Sequence, residues 1–157
     1  MDGLTPESLL FGPVFVGLGC RRGCGWEEIA GLVVAAFDEA GLPGTARTLA
    51  ALAAPAMKAG EAGLAEAART LGLPLRFVGE DAMLDAQDRA QTRSATVLAA
   101  VGLASVAEAA ALAAAGPGSR LLLPRRSTPR ATVALALPAI ALPKADSSVA
   151  DLPETRS

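Results

Sequence analysis

The chain has 157 residues, a formal net charge of −2 and no histidine. This length fits one domain with its own core, and the near-neutral charge provides no basic surface of the kind that nucleic-acid binders use. The missing histidines remove the commonest general base and the commonest metal ligand. We therefore expect no metal site, no cofactor and no nucleic-acid partner.

Hydrophobic residues make up 52% of the chain, but aromatic residues only 3%. The core must therefore be built mainly from alanine, leucine and valine, which suits helices packed closely on a sheet. The leader, residues 1–12, lacks the basic start of a secretory signal. No window approaches the roughly 18 apolar residues of a membrane span. These features predict a cytoplasmic protein that makes no membrane contact.

After the leader, short apolar runs alternate with amphipathic stretches. Pro13–Gly19 is a compact run with β-branched residues and bounding glycines, which predicts a buried strand. Gly25–Gly41 carries apolar residues on one helical face and glycine at a typical stop, which predicts a helix. Thr45–Pro55 stays open, because its alanines favour a helix while its length and bounding residues suit a strand.

The middle of the chain continues this alternation. Ala59–Gly72 has the spacing of a helix, Leu73–Gly79 reads as a short strand, and Glu80–Ala90 is typical of a polar surface helix.

Ser105–Gly116 is the clearest helix of the sequence. Ser105 and Glu108 have the spacing of a capping box, in which the serine caps the helix and the glutamate follows three residues later. Arg120–Arg126 and Ala131–Leu137 then read as two strands joined by a basic loop. The polar tail 143–157 is expected to be disordered.

This order of elements predicts a single α/β layered domain over residues 13–142, with a mixed β-sheet flanked by helices. The sheet is expected to be mixed because the last two strands, with their short connection, can pair antiparallel.

The most distinctive local feature is the glycine-rich turn between the first predicted strand and the first predicted helix. Its glycines are Gly17, Gly19, Gly23 and Gly25, which miss the spacing of a dinucleotide fingerprint by one residue, and no P-loop lysine follows. Glycines still let a backbone approach a ligand closely, and the following helix presents free N–H groups. Arg21 and Arg22 add fork-shaped donors suited to carboxylates or phosphates. The sequence leaves open whether this turn is an anion site or the two arginines are merely solvated.

Two cysteines, Cys20 and Cys24, flank these arginines. We expect both to be reduced, because a disulfide would close only a tiny loop and two ligands do not make a zinc site. Arg21 and the helix N-terminus favour a lowered pKa for the Cys20 thiol. Without a histidine partner, however, we do not assign Cys20 as a nucleophile.

Several stretches occur in a recognisable order: "GLGCRRG" followed by "WEEI", then "MKAGEAGLAEAARTLGLPLRF", and then "VGLASVAEAAALAAAG" before "RLLLPRR" and "TVALAL". Together they resemble the CobE/CbiG C-terminal domain family of cobalamin biosynthesis. The resemblance runs from residue 14 to residue 137, which is most of the chain.

Two functions follow from this resemblance. In the longer anaerobic relatives, this domain is the C-terminal part of an enzyme that opens the lactone of cobalt-precorrin-5A and releases acetaldehyde. The free-standing aerobic form, which this chain resembles in length, is linked to binding of a corrin intermediate. The resemblance therefore implies a vitamin B12 biosynthesis protein that binds a precorrin or hydrogenobyrinic acid as a carrier or accessory factor. Other cobalamin-biosynthesis enzymes are candidate partners, and a lactone hydrolase is the alternative function.

The resemblance also assigns candidate residues. The substrate-binding set that it implies is Gly17, Gly19, Cys20, Arg21, Gly23, Lys58, Glu61, Ser105 and Glu108. Arg125 or Arg126 are further candidate cations for the carboxylate arms of a corrin. Glu61 and Glu108 are the candidate catalytic acids, although each also has a structural interpretation as an acid in the first turn of a helix.

Overall fold

A computed structural model describes residues 13–86 and 105–139, which contain one five-stranded mixed sheet. The strands are β1 (Phe15–Cys20), β2 (Ala51–Pro55), β3 (Leu75–Val78), β4 (Arg120–Ser127) and β5 (Ala131–Leu137). Their spatial order is β3-β2-β1-β5-β4. The first three strands run parallel, whereas β5 is antiparallel to both β1 and β4. The predicted α/β class with a mixed sheet is confirmed.

Helices cover both faces of this sheet. In the described residues they are α1 (Trp26–Ala40), α2 (Gly44–Thr48), α3 (Ala62–Leu71), α4 (Glu80–Ala86) and α5 (Val106–Ala115), together with a 3-10 turn, Ala56–Lys58. Helices α1 and α3 pack on one face and α4 and α5 on the other. None of the described helices is both long enough and apolar enough to cross a membrane.

The two faces of the sheet have different side chains. Towards α1 and α3, β1 presents Val16 and Leu18, which are fully buried. Towards α5 the sheet presents a row of small residues, in which Gly17 is paired with Ala53 on one side and Ala134 on the other. The alanine-rich helix α5 can therefore lie directly on the backbone of the sheet, which accounts for a core with few aromatic residues.

Most predicted elements are confirmed within a few residues. Helix α1 ends at Gly41, whose φ of 71° is left-handed, as the predicted stop requires. The open segment 45–55 holds both alternatives, since α2 is followed by β2, which is buried along its whole length. A strand covered on both faces shows no alternation of apolar and polar residues, so the sequence pattern of this segment did not distinguish a strand from a helix. The predicted helix from Ala59 was too long, because a 3-10 turn precedes α3 and the helix begins at Ala62.

Four sequence predictions lie at least partly outside the described residues. These are the leader 1–12, the end of the polar helix at 87–90, the end of the predicted domain at 140–142 and the tail 143–157.

The parallel pairing brings the carboxyl ends of β1 and β2 to one edge of the sheet. Because β5 runs antiparallel to β1, with Cys20 opposite Ala131, the loop between β4 and β5 reaches the same edge. Open α/β sheets commonly bind ligands outside the carboxyl ends of their strands.

Candidate functional site

A cleft of about 400 Å³ lies at this edge of the sheet. Its walls are the end of β1, the 3-10 turn after β2, the start of α5 and the β4–β5 loop. Four charged side chains line it, Arg21, Lys58, Arg125 and Arg130, and all four are basic. We call this site the cationic cleft. Within the part of the chain that the structure describes, no acidic residue lines it.

The cationic cleft also has apolar surface. Pro55, Met57, Val106 and Pro129 line the same cleft. Met57 is 85% exposed, which is unusual for a large apolar side chain. The cationic cleft therefore combines fixed positive charge with apolar contact area, as a site for a large anionic ligand requires.

The turn after β1 is held by backbone bonds that place Arg21 at the cationic cleft. The Arg21 N–H donates to the Arg130 carbonyl at 2.8 Å, and the Cys24 N–H donates to the Arg21 carbonyl at 3.1 Å. Gly23 has a φ of 78°, a left-handed conformation that suits glycine. Its N–H donates to Glu61 Oε1 at 2.9 Å, which ties the turn to the residue before α3.

The β4–β5 loop is anchored on the first turn of α1. The Thr128 hydroxyl donates to Glu28 Oε2, and the Arg130 N–H donates to the same oxygen at 3.0 Å. These two hydrogen bonds hold the pKa of the Glu28 carboxyl below its ordinary value, and the bond from Thr128 has the larger effect. A further bond from the Thr128 N–H to the Ala131 carbonyl, at 2.9 Å, closes the loop.

The start of α5 forms the back of the site. The predicted cap is confirmed, because Ser105 Oγ accepts from the Glu108 N–H at 3.3 Å. The Glu108 side chain is fully buried, and its Oε2 accepts from the Arg125 N–H at 2.8 Å. Ser105 thus lines the cationic cleft, while Glu108 lies behind it and holds β4.

Both cysteines are free thiols. Burial raises the pKa of the Cys20 thiol, and the nearby Lys58 opposes this increase only in part. The expectation that Arg21 lowers the pKa of Cys20 is therefore wrong, because burial raises the pKa of this thiol by more than the nearby Lys58 lowers it. Burial likewise raises the pKa of Cys24. Across residues 13–86 and 105–139, no three Cys, Asp or Glu side chains come together as a metal ion would require.

The structure divides the predicted substrate-binding residues into two groups. Gly19, Cys20, Arg21, Lys58 and Ser105 line the cationic cleft. Gly17, Gly23, Glu61 and Glu108 do not line it.

Each residue outside the cationic cleft has a physical reason for its position. Gly17 lies under α5, where a Cβ would overlap the Ala107 carbonyl oxygen, so no ligand has room there. Gly23 and Glu61 border a second cavity of about 470 Å³ on the Trp26 side of the turn. Glu108 is in the interior, as described above.

Of the two further candidate cations, only Arg125 lines the cationic cleft. Arg126 instead forms an ion pair with Glu39 of α1, at 2.6 Å. Sequence reasoning missed Arg130, Thr128 and Met57. Their loop and turn carry no recognisable motif. Arg130 and Thr128 reach the site because β5 pairs with β1, and Met57 reaches it because β2 pairs with β1, and spacing reveals neither pairing.

Comparison with known proteins gives a consistent result. Residues 14–136 match the family model described as cobalamin synthesis G C-terminus. Protein CobE from a Sinorhizobium species is 37% identical over 123 residues, which cover 77% of each chain.

Solved structures agree. The crystal structure of CobE, a protein from the cobalamin (vitamin B12) biosynthetic pathway, matches with a TM-score of 0.68 and 38% identity, over 79% of this chain and 89% of that one. Cobalamin biosynthesis protein chiG from Agrobacterium tumefaciens matches with a TM-score of 0.63 and 38% identity, over 80% and 98% of the two chains. A putative cobalamin biosynthesis protein G homolog from Sulfolobus solfataricus shares the fold at 20% identity and a TM-score of 0.55, over 80% of this chain and 36% of that one.

Proposed function

Because the chain belongs to the cobalamin synthesis G C-terminal family and is a CobE/CbiG-like cobalamin biosynthesis protein, we propose that its cationic cleft binds a corrin intermediate of the aerobic pathway. The ligand is a precorrin or a hydrogenobyrinic-acid-like corrin. The protein acts as a carrier or accessory factor that holds this intermediate for other enzymes of the pathway.

The charge of the cationic cleft is the observation that carries this proposal. Corrin intermediates are flat macrocycles with acetate and propionate arms, so their recognition needs several cations around an apolar surface. Four basic side chains from four different segments supply the cations. The exposed Met57 at the same site offers apolar contact to the ring. Arginine suits the arms because its guanidinium can bind a carboxylate with two parallel hydrogen bonds.

The alternative function, a lactone hydrolase that releases acetaldehyde, has less support. Its candidate acids, Glu61 and Glu108, each accept a backbone N–H bond and do not line the cationic cleft. The raised pKa of Cys20 keeps that thiol protonated at neutral pH, so it is a poor nucleophile. We therefore place binding ahead of turnover.

The direct test is a titration of the full chain with hydrogenobyrinic acid, followed by calorimetry and by tryptophan fluorescence. Trp26 is the only tryptophan and borders the second cavity, next to the turn that carries Arg21. We expect micromolar binding with quenching of this fluorescence. No heat and no spectral change would refute the proposal. Acetaldehyde release from a lactone-bearing precorrin would instead establish the hydrolase.

A matched pair of arginines locates the binding site. Arg21→Ala removes a cation of the cationic cleft and is expected to weaken binding roughly tenfold, as for loss of a charged hydrogen bond. Arg22→Ala removes the same charge from the same turn, but Arg22 does not line the cationic cleft. Its effect is expected to be at most about threefold, from long-range charge alone. Equal losses in the two variants would contradict binding at the cationic cleft.

A further inference from the structure

Three glutamates outside the cationic cleft hold the backbone segments that carry its arginines. They come from different elements: Glu28 from α1, Glu61 from the position just before α3, and Glu108 from α5. The three bonds run from Arg130 N to Glu28 Oε2 at 3.0 Å, from Gly23 N to Glu61 Oε1 at 2.9 Å, and from Arg125 N to Glu108 Oε2 at 2.8 Å. Gly23 belongs to the same short turn as Arg21. Each arginine of the cationic cleft thus has a carboxylate behind its own segment.

We infer that Glu28, Glu61 and Glu108 are positioning residues, which fix the backbone around the arginines so that the guanidinium groups face the ligand before it binds. The inference takes its ligand, a polycarboxylate corrin, from the proposed function. A carboxylate that accepts from a backbone N–H makes a charge-assisted bond, stronger than a neutral one. A cation held in place beforehand loses less freedom on binding, so the ligand binds more tightly.

Electrostatics alone predicts the opposite effect of these acids. A carboxylate near an anion site repels the anion, so its removal should tighten binding of a negatively charged ligand. A positioning role predicts that its removal weakens binding, because the loop that carries the cation becomes mobile. The sign of the change in affinity therefore separates the two explanations.

Glu28 offers the sharpest test. One of its oxygens, Oε2, accepts from both the Thr128 hydroxyl and the Arg130 N–H. The Arg130 carbonyl in turn accepts from the Arg21 N–H at 2.8 Å. This one carboxylate therefore supports two arginines of the cationic cleft. Its neighbour Glu27 is exposed in the same helical turn and carries the same charge, so it provides the matched control.

The experiment compares Glu28→Ala, Glu28→Gln and Glu27→Ala in the full chain. One measurement, amide hydrogen exchange at Arg130, needs no ligand. The other is the affinity for hydrogenobyrinic acid.

Glu28→Ala removes the hydrogen bonds from both Thr128 and Arg130. We expect it to speed exchange at Arg130 and to weaken binding, each by about tenfold or more, as for loss of charge-assisted hydrogen bonds. Glu28→Gln keeps an oxygen that accepts from Thr128 and Arg130, so it should retain most of the affinity. Glu27→Ala should leave exchange unchanged and bind equally well or slightly more tightly.

Binding by Glu28→Ala that is as tight as wild type, or tighter, would overturn the inference and leave the proposed function standing. Unchanged exchange at Arg130 would overturn it as well. If the wild-type chain does not bind hydrogenobyrinic acid, the proposed function fails, and the exchange measurement alone decides whether Glu28 fixes the loop.

Glu61 provides a second, independent variant if Glu28→Ala does not fold. Glu61→Ala is expected to speed exchange at Gly23 and to weaken binding, whereas Glu61→Gln should preserve both. Equal exchange at Gly23 in wild type and Glu61→Ala would contradict the inference for this segment.

Discussion

The glycine-rich motif "GLGCRRG", residues 17–23, has a strand half that belongs to β1 and a turn half that follows β1. The two halves have different roles. In the strand half, Gly17 is buried beneath α5, where absence of a side chain lets helix and sheet backbones touch. In the turn half, Arg21 is exposed and lines the cationic cleft. Adjacent parts of one motif thus serve packing in one case and, on our proposal, ligand binding in the other. A glycine near a binding loop is therefore not by itself evidence of contact with a ligand.

The largest expected effect concerns the strand half. Gly17→Ala places a Cβ against the Ala107 carbonyl oxygen and 2.6 Å from the Ala111 nitrogen, both backbone atoms that cannot rotate away. We expect the free energy of unfolding to fall by about 3 kcal/mol or more, measured by urea denaturation.

Gly31→Ala is the control for this substitution. Gly31 is exposed within α1, and a Cβ there meets nothing within 4 Å. The same change should therefore raise the free energy of unfolding by roughly 0.5–1 kcal/mol. A Gly17→Ala variant that is fully stable but impaired in binding would reverse the assignment of the strand half.

Elements were predictable where short-range patterns decide them. The cap of α5 could be found because Ser105 and Glu108 are three residues apart and bond within one turn. The 45–55 segment could not be assigned, because β2 is covered on both faces and its alanines show neither period.

The site was less predictable because its contacts join distant parts of the chain. The hydrogen bond between Arg130 and Glu28 joins residues 102 positions apart, and the local sequence around either residue does not indicate it. The resemblance made Glu108 a candidate catalytic acid. Its hydrogen bond from the Arg125 backbone depends on the packing of α5 against β4, which the sequence does not show. Sequence spacing identifies residues that lie on the same helix or strand. The order of the strands in the sheet determines which distant segments come into contact at the site.

A second prediction compares two neighbours on β4. Arg125 lines the cationic cleft, whereas Arg126 pairs with Glu39 on α1. Arg125→Ala should weaken binding of hydrogenobyrinic acid by roughly tenfold, since it removes a charged donor from the site. Arg126→Ala should leave the affinity nearly unchanged, because Arg126 does not line the cationic cleft and its ion pair with Glu39 lies at the surface. Calorimetric titration of both variants measures the difference, and a larger loss for Arg126→Ala would contradict it.

The third prediction concerns acid stability of the loop. The pKa of Glu28 lies below its ordinary value of 4.5, because Thr128 and Arg130 donate to the ionised carboxylate. Such a group stabilises the fold at pH values above its unfolded pKa, and this contribution is lost as pH falls through the lower, folded pKa. The free energy of unfolding should therefore decline on acidification below about pH 4.5. Glu28→Gln, which cannot ionise, should show a shallower decline, and an identical pH profile would refute the prediction.

The smallest expected effect is on thiol reactivity. Cys20 lines the cationic cleft, and burial raises its pKa above the ordinary value of 9.0. Alkylation at neutral pH should be several-fold slower than in the urea-unfolded chain, and should accelerate only in the alkaline range. Cys20→Ser identifies the modified site, since Cys24 is buried. Bound hydrogenobyrinic acid should protect Cys20 further, and unchanged alkylation at saturating ligand would place the ligand elsewhere.

The central claim is that the cationic cleft binds a corrin through its carboxylate arms. The most direct measurement is the affinity of the wild-type chain for hydrogenobyrinic acid compared with its fully methylated ester, which has the same ring but no negative charge. We predict that the acid binds at least about tenfold more tightly, and that this preference shrinks in Arg21→Ala. Equal affinity for acid and ester would contradict the account.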